Sequence, residues 1–189
     1  KPKLFFRSHK KKIVTGAPII FLLLLGSSGI LSSGNSLALS VSESAFVSVN
    51  DEVPVTLTLS TKTAVNAAGG TITFPPELVA VNTLSRVSSI IDLWSEEPVT
   101  SNEAGTVRFS GGIIGPHVNA TGNHGTVLTL NLRTLKEGKA ILRIKDGELL
   151  ANDGSGANQI SSTGALVLYI RASGKPSPDI NGDDELSLA

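Results

Sequence analysis

The chain has 189 residues, room for one domain of common size plus short extensions. Cysteine is absent, which closes disulfide frameworks, thiolate metal sites and thiol redox chemistry. The 16 basic and 16 acidic residues cancel, but six of the Lys and Arg residues precede residue 13 while every acidic residue follows residue 42. The body of the chain is therefore mildly acidic and a poor match for nucleic acid or anionic lipid, both of which demand clustered cations.

In chain order, the first element is a leader. Lys1, Lys3, Arg7, Lys10, Lys11 and Lys12 are followed by a largely apolar run over residues 13–31, centred on Ile19-Ile20-Phe21-Leu22-Leu23-Leu24-Leu25. Small residues then lead to Ser36-Leu37-Ala38. A positive segment, an apolar helix and a small-x-small site make the three-part plan of a secretory signal, and the predicted cleavage lies after Ala38. The same run is long enough to be kept as a membrane anchor, although Gly16, Pro18, Gly26 and Gly29 interrupt it. Residues 1–38 are thus read as a signal sequence or anchoring helix. Under either reading the remainder is exported, secreted or held at the cell surface.

From residue 45 to 171 the dominant pattern is alternation with period two, which puts every second side chain on one face of a strand. Val53, Val55, Leu57 and Leu59 alternate with Pro54, Thr56, Thr58 and Ser60. The pattern recurs in Thr71-Ile72-Thr73-Phe74, Thr106-Val107-Arg108-Phe109-Ser110, Leu128-Thr129-Leu130-Asn131-Leu132 and Leu142-Arg143-Ile144-Lys145, and residues 165–170 close it with an apolar run. Clusters such as Ala68-Gly69-Gly70, Gly122-Asn123-His124-Gly125 and Asn152-Asp153-Gly154-Ser155-Gly156 carry turn chemistry and are read as connections between strands. Pro76-Glu77-Leu78 opens at most one helical turn. Many short strands at this spacing predict an all-β, antiparallel sandwich over residues 39–171. Residues 172–178, rich in Pro, Ser and Gly, are a stiff and solvated linker, and residues 179–189 begin a separate segment.

That last segment, Asp179-Ile180-Asn181-Gly182-Asp183-Asp184-Glu185-Leu186-Ser187, has the spacing of a calcium loop. Asp179, Asn181 and Asp183 supply side-chain oxygens at positions 1, 3 and 5, Glu185 a backbone carbonyl at 7, and Ser187 a hydroxyl or water contact at 9. Asp184 occupies position 6, where glycine makes the sharp turn cheaply, and the bidentate acid of position 12 would fall beyond Ala189. Calcium is expected to bind here only when that continuation is present.

Taken together, Val47-Ser48-Val49-Asn50-Asp51-Glu52-Val53, the run Asn66-Ala67-Ala68-Gly69-Gly70-Thr71-Ile72-Thr73-Phe74-Pro75-Pro76-Glu77-Leu78, Gly105-Thr106-Val107-Arg108-Phe109, Gly125-Thr126-Val127-Leu128-Thr129-Leu130 and Leu149-Leu150-Ala151-Asn152-Asp153-Gly154 resemble, in order and spacing, a cohesin domain over about residues 42–171. The tail resembles the first calcium loop of a dockerin. The resemblance implies a jelly-roll sandwich of about nine strands, related to carbohydrate-binding modules, that docks a dockerin-type protein partner through one sheet face. The outward residues of the corresponding strands are Thr71, Thr73, Arg108 and Ser110, the candidate partner-binding set.

Catalysis finds little support. His9 lies in the leader, and His117 and His124 in turn-rich stretches without G-x-S-x-G or H-E-x-x-H around them. Glu96 and Glu97 are adjacent, so on a strand they point to opposite faces and do not flank one glycosidic bond. The chain is read as a non-enzyme. Polysaccharide binding is the competing function, and it needs aromatic rings: of Phe46, Phe74, Trp94, Phe109 and Tyr169, Phe74 and Phe109 fall on the apolar parity of their strands. Trp94 is the ambiguous case, the candidate sugar platform if it is not the core or sheet-edge residue its average burial favours. A purely structural surface adhesin domain is the third reading.

Overall fold

The computed structural model describes residues 34–117 and 125–173, which form eleven strands and no helix. They are β1 (Asn35–Val41), β2 (Phe46–Ser48), β3 (Glu52–Ser60), β4 (Val65–Thr73), β5 (Val79–Ser85), β6 (Leu93–Ser101), β7 (Thr106–His117), β8 (Gly125–Thr134), β9 (Gly138–Ala151), β10 (Ile160–Thr163) and β11 (Ala165–Arg171). One sheet runs β10-β1-β3-β8-β5 and the other β2-β11-β9-β4-β7-β6. The leader before Gly34, residues 118–124 with His124, most of the linker, and the whole tail lie outside the described residues. All five calcium-ligand candidates, Asp179, Asn181, Asp183, Glu185 and Ser187, are among them.

The alternation is what faces the two sheets together. Val53, Val55, Leu57 and Leu59 of β3 and Leu128, Leu130 and Leu132 of β8 point inward from one sheet. Ile72, Val107, Phe109, Leu142, Ile144, Leu166 and Leu168 meet them from the other. Each such side chain, removed from water, contributes roughly 1.5–3 kcal/mol. Phe74 and Phe109 are both in this core, as their parity predicts.

Three features depart from the expectation. The pairing is antiparallel except at two places, where β1 runs parallel to β10 and β2 parallel to β11; these short pairs raise the strand number above nine. The first strand begins at Asn35, so the expected boundary between Ala38 and Leu39 falls inside β1. Ser36, Leu37 and Ala38 already pair with Ser60, Leu59 and Thr58 of β3, and Leu37 is fully buried. Ala68-Gly69-Gly70, read as a turn, instead lies in the middle of β4. There Gly70 has φ +154° and the register against β9 shifts between Gly69 and Thr71. A bulge is the strand-interior use of a glycine that sequence alone presents as a turn signal.

Two side-chain ties hold the sandwich ends. Thr134, buried at the end of β8, donates its hydroxyl to the Ser48 carbonyl at 2.6 Å, fastening the β2–β3 turn. Buried Asn35 donates from Nδ2 to Thr63 Oγ1 at 2.7 Å and accepts at Oδ1 from the Lys62 and Thr63 amides at 2.8 and 3.3 Å. That places one amide over the β3–β4 turn.

Candidate protein-docking face

With one face of each sheet in the core, the other face of the six-stranded sheet packs against no other element among the described residues, and the pairing registers give its layout. Across β9, β4, β7 and β6, one row is Arg143–Thr73–Thr106–Ser101 and the next is Lys145–Thr71–Arg108–Val99. The row beyond holds Glu148, Gly69, Ser110 and Glu96, followed by Leu150, Ala67, Gly112 and Leu93. Thr71, Thr73, Arg108 and Ser110, selected from sequence, therefore share one face on adjacent strands: Thr71 pairs with Arg108, and Ser110 pairs with Gly69. The two threonines are half-buried, Arg108 and Ser110 exposed. Ser110 accepts a hydrogen bond from the Ser95 hydroxyl at 2.9 Å across β6.

Sequence reasoning missed the β9 contribution. Arg143 and Lys145 are exposed and stand directly opposite Thr73 and Thr71. Their parity was visible in Leu142-Arg143-Ile144-Lys145, but which strand would lie beside β4 was not. Lys139 of the same strand continues the basic line. Four of the nine basic residues between 34 and 173 thus sit on this face, although acidic residues outnumber basic ones in that span. Among the described residues Arg108, Arg143 and Lys145 make no ion pair, whereas Arg86 and Glu97 do, at 2.7 Å. Glu148 and Glu96 lie in the next row, beyond the cations.

Between the cations and the β6 edge the surface is made of small residues. At Gly69 and Gly112 an added Cβ would come no closer than 3.5 and 3.7 Å to other groups, and neither has a left-handed backbone. The fold therefore does not demand glycine at either place. Gly112 is half-buried and keeps the surface low at its place, whereas Gly69 is buried with the Ser110 side chain beside it. Exposed Leu93 and Ile114 flank this floor on the β6–β7 side.

At the opposite edge the rings of Phe46 and Tyr169 stack with centroids 5.1 Å apart, and the Lys139 ammonium lies 5.7 Å from the Tyr169 centroid. Tyr169 pairs with Phe46 on one side and Lys139 on the other, so both faces of its ring are taken and a ridge results, not a flat platform. Trp94 is half-buried, packs against the core and carries the Arg86 guanidinium 5.8 Å from its centroid. Glu96 and Glu97 are exposed on β6, the latter bound to Arg86. His117 ends β7 and does not lie in a loop.

No protein-family model matches the chain, and no curated protein matches it. Solved structures do. A non-cellulosomal cohesin from the archaeon Archaeoglobus fulgidus is similar over 73% of this chain and 91% of its own, at 13% identity and a TM-score of 0.56. The cohesin module of a family 33 glycoside hydrolase from Clostridium perfringens matches over 72% and 97%, at 16% identity and a TM-score of 0.55. A chain from a type I cohesin–dockerin complex of Clostridium thermocellum matches over 72% and 94%, at 10% identity and a TM-score of 0.55. At these identities the likeness is one of fold: the chain has the cohesin jelly-roll sandwich.

Proposed function

We propose that this chain is a non-catalytic docking module, exported from the cytoplasm, that holds a dockerin-type protein partner on the outward face of the six-stranded sheet. The observation that carries this reading is the face itself. The sheet sets Thr71 and Thr73 among three cations, Arg108, Arg143 and Lys145, that make no ion pair among the described residues, with half-buried Gly112 on the same face at a place where the fold does not demand glycine. A preformed sheet loses little entropy on binding, and a flat, unpartnered face suits an interface of the standard ~800 Å² per partner. That one of the similar folds comes from a cohesin–dockerin complex supports a partner of that type. The tail, with Asp179, Asn181, Asp183, Glu185 and Ser187, is proposed as the opening of a calcium loop of the kind such partners carry, so one chain would present both a receptor and the start of a ligand.

The test is calorimetry of the chain against a panel of calcium-loaded dockerin modules from the same organism. A binder is expected, and Thr71→Trp, which raises a bulky ring from the middle of the face, should weaken it at least tenfold while leaving the melting temperature in place. If a binder is found and Thr71→Trp has no effect, docking uses another surface. Retention on insoluble polysaccharide with no dockerin binding overturns the reading in favour of a carbohydrate module.

A further inference from the structure

We infer that the docking face is covered in cis by the chain's own acidic segment, residues 179–185, whose carboxylates pair with Arg108, Arg143 and Lys145. The inference rests on the docking reading above and adds an occupant for the face. Its first support is charge. Arg108, Arg143 and Lys145 surround Thr71 and Thr73 on three adjacent strands and find no carboxylate partner among the described residues. The segment carries Asp179, Asp183, Asp184 and Glu185 within seven residues and no cation. Three like charges gathered on one face repel one another, and a carboxylate segment laid among them relieves that repulsion.

The second support is reach. Ile170 pairs with Gly138, so β11 delivers the chain to the Lys139 end of β9, where the Ser173 hydroxyl donates to the Val49 carbonyl at 2.7 Å. From Lys139 to Lys145 along β9 is roughly 20 Å, and from β9 across β4 to β7 is a further ~10 Å. Asp179 lies six residues past Ser173, within about 20 Å of extended chain, and Glu185 lies within about 40 Å. Asp179 therefore reaches Lys139, and Asp183, Asp184 and Glu185 reach Arg143, Lys145 and Arg108. A tether this short gives an effective concentration on the order of millimolar, so even a weak ionic contact is populated within one molecule, and an external partner has to displace it.

Zero-length carbodiimide coupling tests this, because it joins a carboxylate to a lysine amine only where the two touch. The full 189-residue chain in neutral detergent, dilute and at low salt, should yield links from Asp179, Asp183, Asp184 or Glu185 to Lys145 or Lys139 in the monomer, read by mass spectrometry. The double variant Arg108→Glu, Arg143→Glu keeps both lysines, and its links should fall at least fivefold. Roughly 0.5 M salt should do the same, since the Debye length then shrinks to a few ångströms. Links that go equally to Lys62, on the far turn, or that occur only in dimers, or that persist in the double variant, overturn the inference. The dockerin panel is read separately: docking without such links rejects the covering segment alone, and links without any docking reject the docking reading alone.

Discussion

At Asn35 one side-chain amide serves the entry to β1, the β3–β4 turn and, through Thr63, the loop before β10: Thr63 donates onward to Gln159 Oε1 at 2.5 Å. Asn35→Ala removes the acceptor of two backbone amides at once and should cost about 1–3 kcal/mol in a urea melt. Glycines separate structural from functional demand in the same way. Gly105 has φ +64°, and an added Cβ would sit 2.2 Å from the Phe74 carbonyl oxygen, whose own amide donates to the Gly105 carbonyl at 2.8 Å. Gly105→Ala should therefore lower stability by more than the ~1 kcal/mol of left-handed strain alone. Gly112→Ala meets no such obstacle, its added Cβ coming no closer than 3.7 Å to other groups, and should leave stability unchanged or raise it by about 0.4–1 kcal/mol, yet weaken docking, since it raises a methyl group on the half-buried floor of the proposed face. If Gly112→Ala destabilises as much as Gly105→Ala, glycine at 112 serves the fold and the argument for close approach fails. Sequence named Thr71, Thr73, Arg108 and Ser110 because the resemblance to a cohesin domain picked out their strands and parity then decided which side chains point outward. Arg143 and Lys145 escaped because only the pairing of β9 with β4 brings them to the same patch.

At the scale of elements, alternation located β3, β8 and β11 and the alternating stretches of β4, β7 and β9, all strands with one face in the core. It could not find β6, an edge strand whose register against β7 shifts twice around Glu96, nor β10, whose Ser161, Ser162 and Thr163 carry no apolar parity. The more instructive case is β1. Ser36-Leu37-Ala38 satisfies the small-x-small requirement of a cleavage site, and Leu37 and Leu39 satisfy the parity of a strand; a local pattern carries both meanings, and only pairing with β3 distinguishes the strand. The consequence is measurable. A chain beginning at Leu39 loses the buried Leu37 side chain, roughly 1.5–3 kcal/mol, and the Asn35 bonds with it. It should therefore melt well below a chain beginning at Gly34, with a stability gap of about 3–5 kcal/mol. Equal stability of the two would mean that residues 35–38 contribute nothing to the sandwich.

At the scale of the whole molecule, the pairings join distant parts of the chain. Asn35 pairs with Ile160, Phe46 with Tyr169, and Glu52 with Arg133, so neither sheet is complete until residues near both ends of the domain have met. Both sheets also share one core: Leu57 and Leu130 of one and Ile72, Phe109 and Leu168 of the other belong to the same buried cluster. Among the described residues neither sheet has a second buried apolar cluster to fall back on, so one should not survive the loss of the other, and unfolding is expected to be all-or-none. Loop closure over such separations must precede the contacts that repay it, so refolding should fall in the millisecond-to-second range of all-β sandwiches and not in microseconds. Trp94 provides the check. It lies on β6, the outermost strand of the six-stranded sheet, and packs against the common core, whereas far-UV circular dichroism reports every strand of both sheets. The two probes followed through one urea titration should give superimposable curves with the same midpoint, with or without a calcium chelator, because the forces joining the sheets are apolar. A Trp94 transition at distinctly lower urea would show that the β6 edge, and with it one border of the docking face, opens as a separate unit, and the single-core account would have to be abandoned.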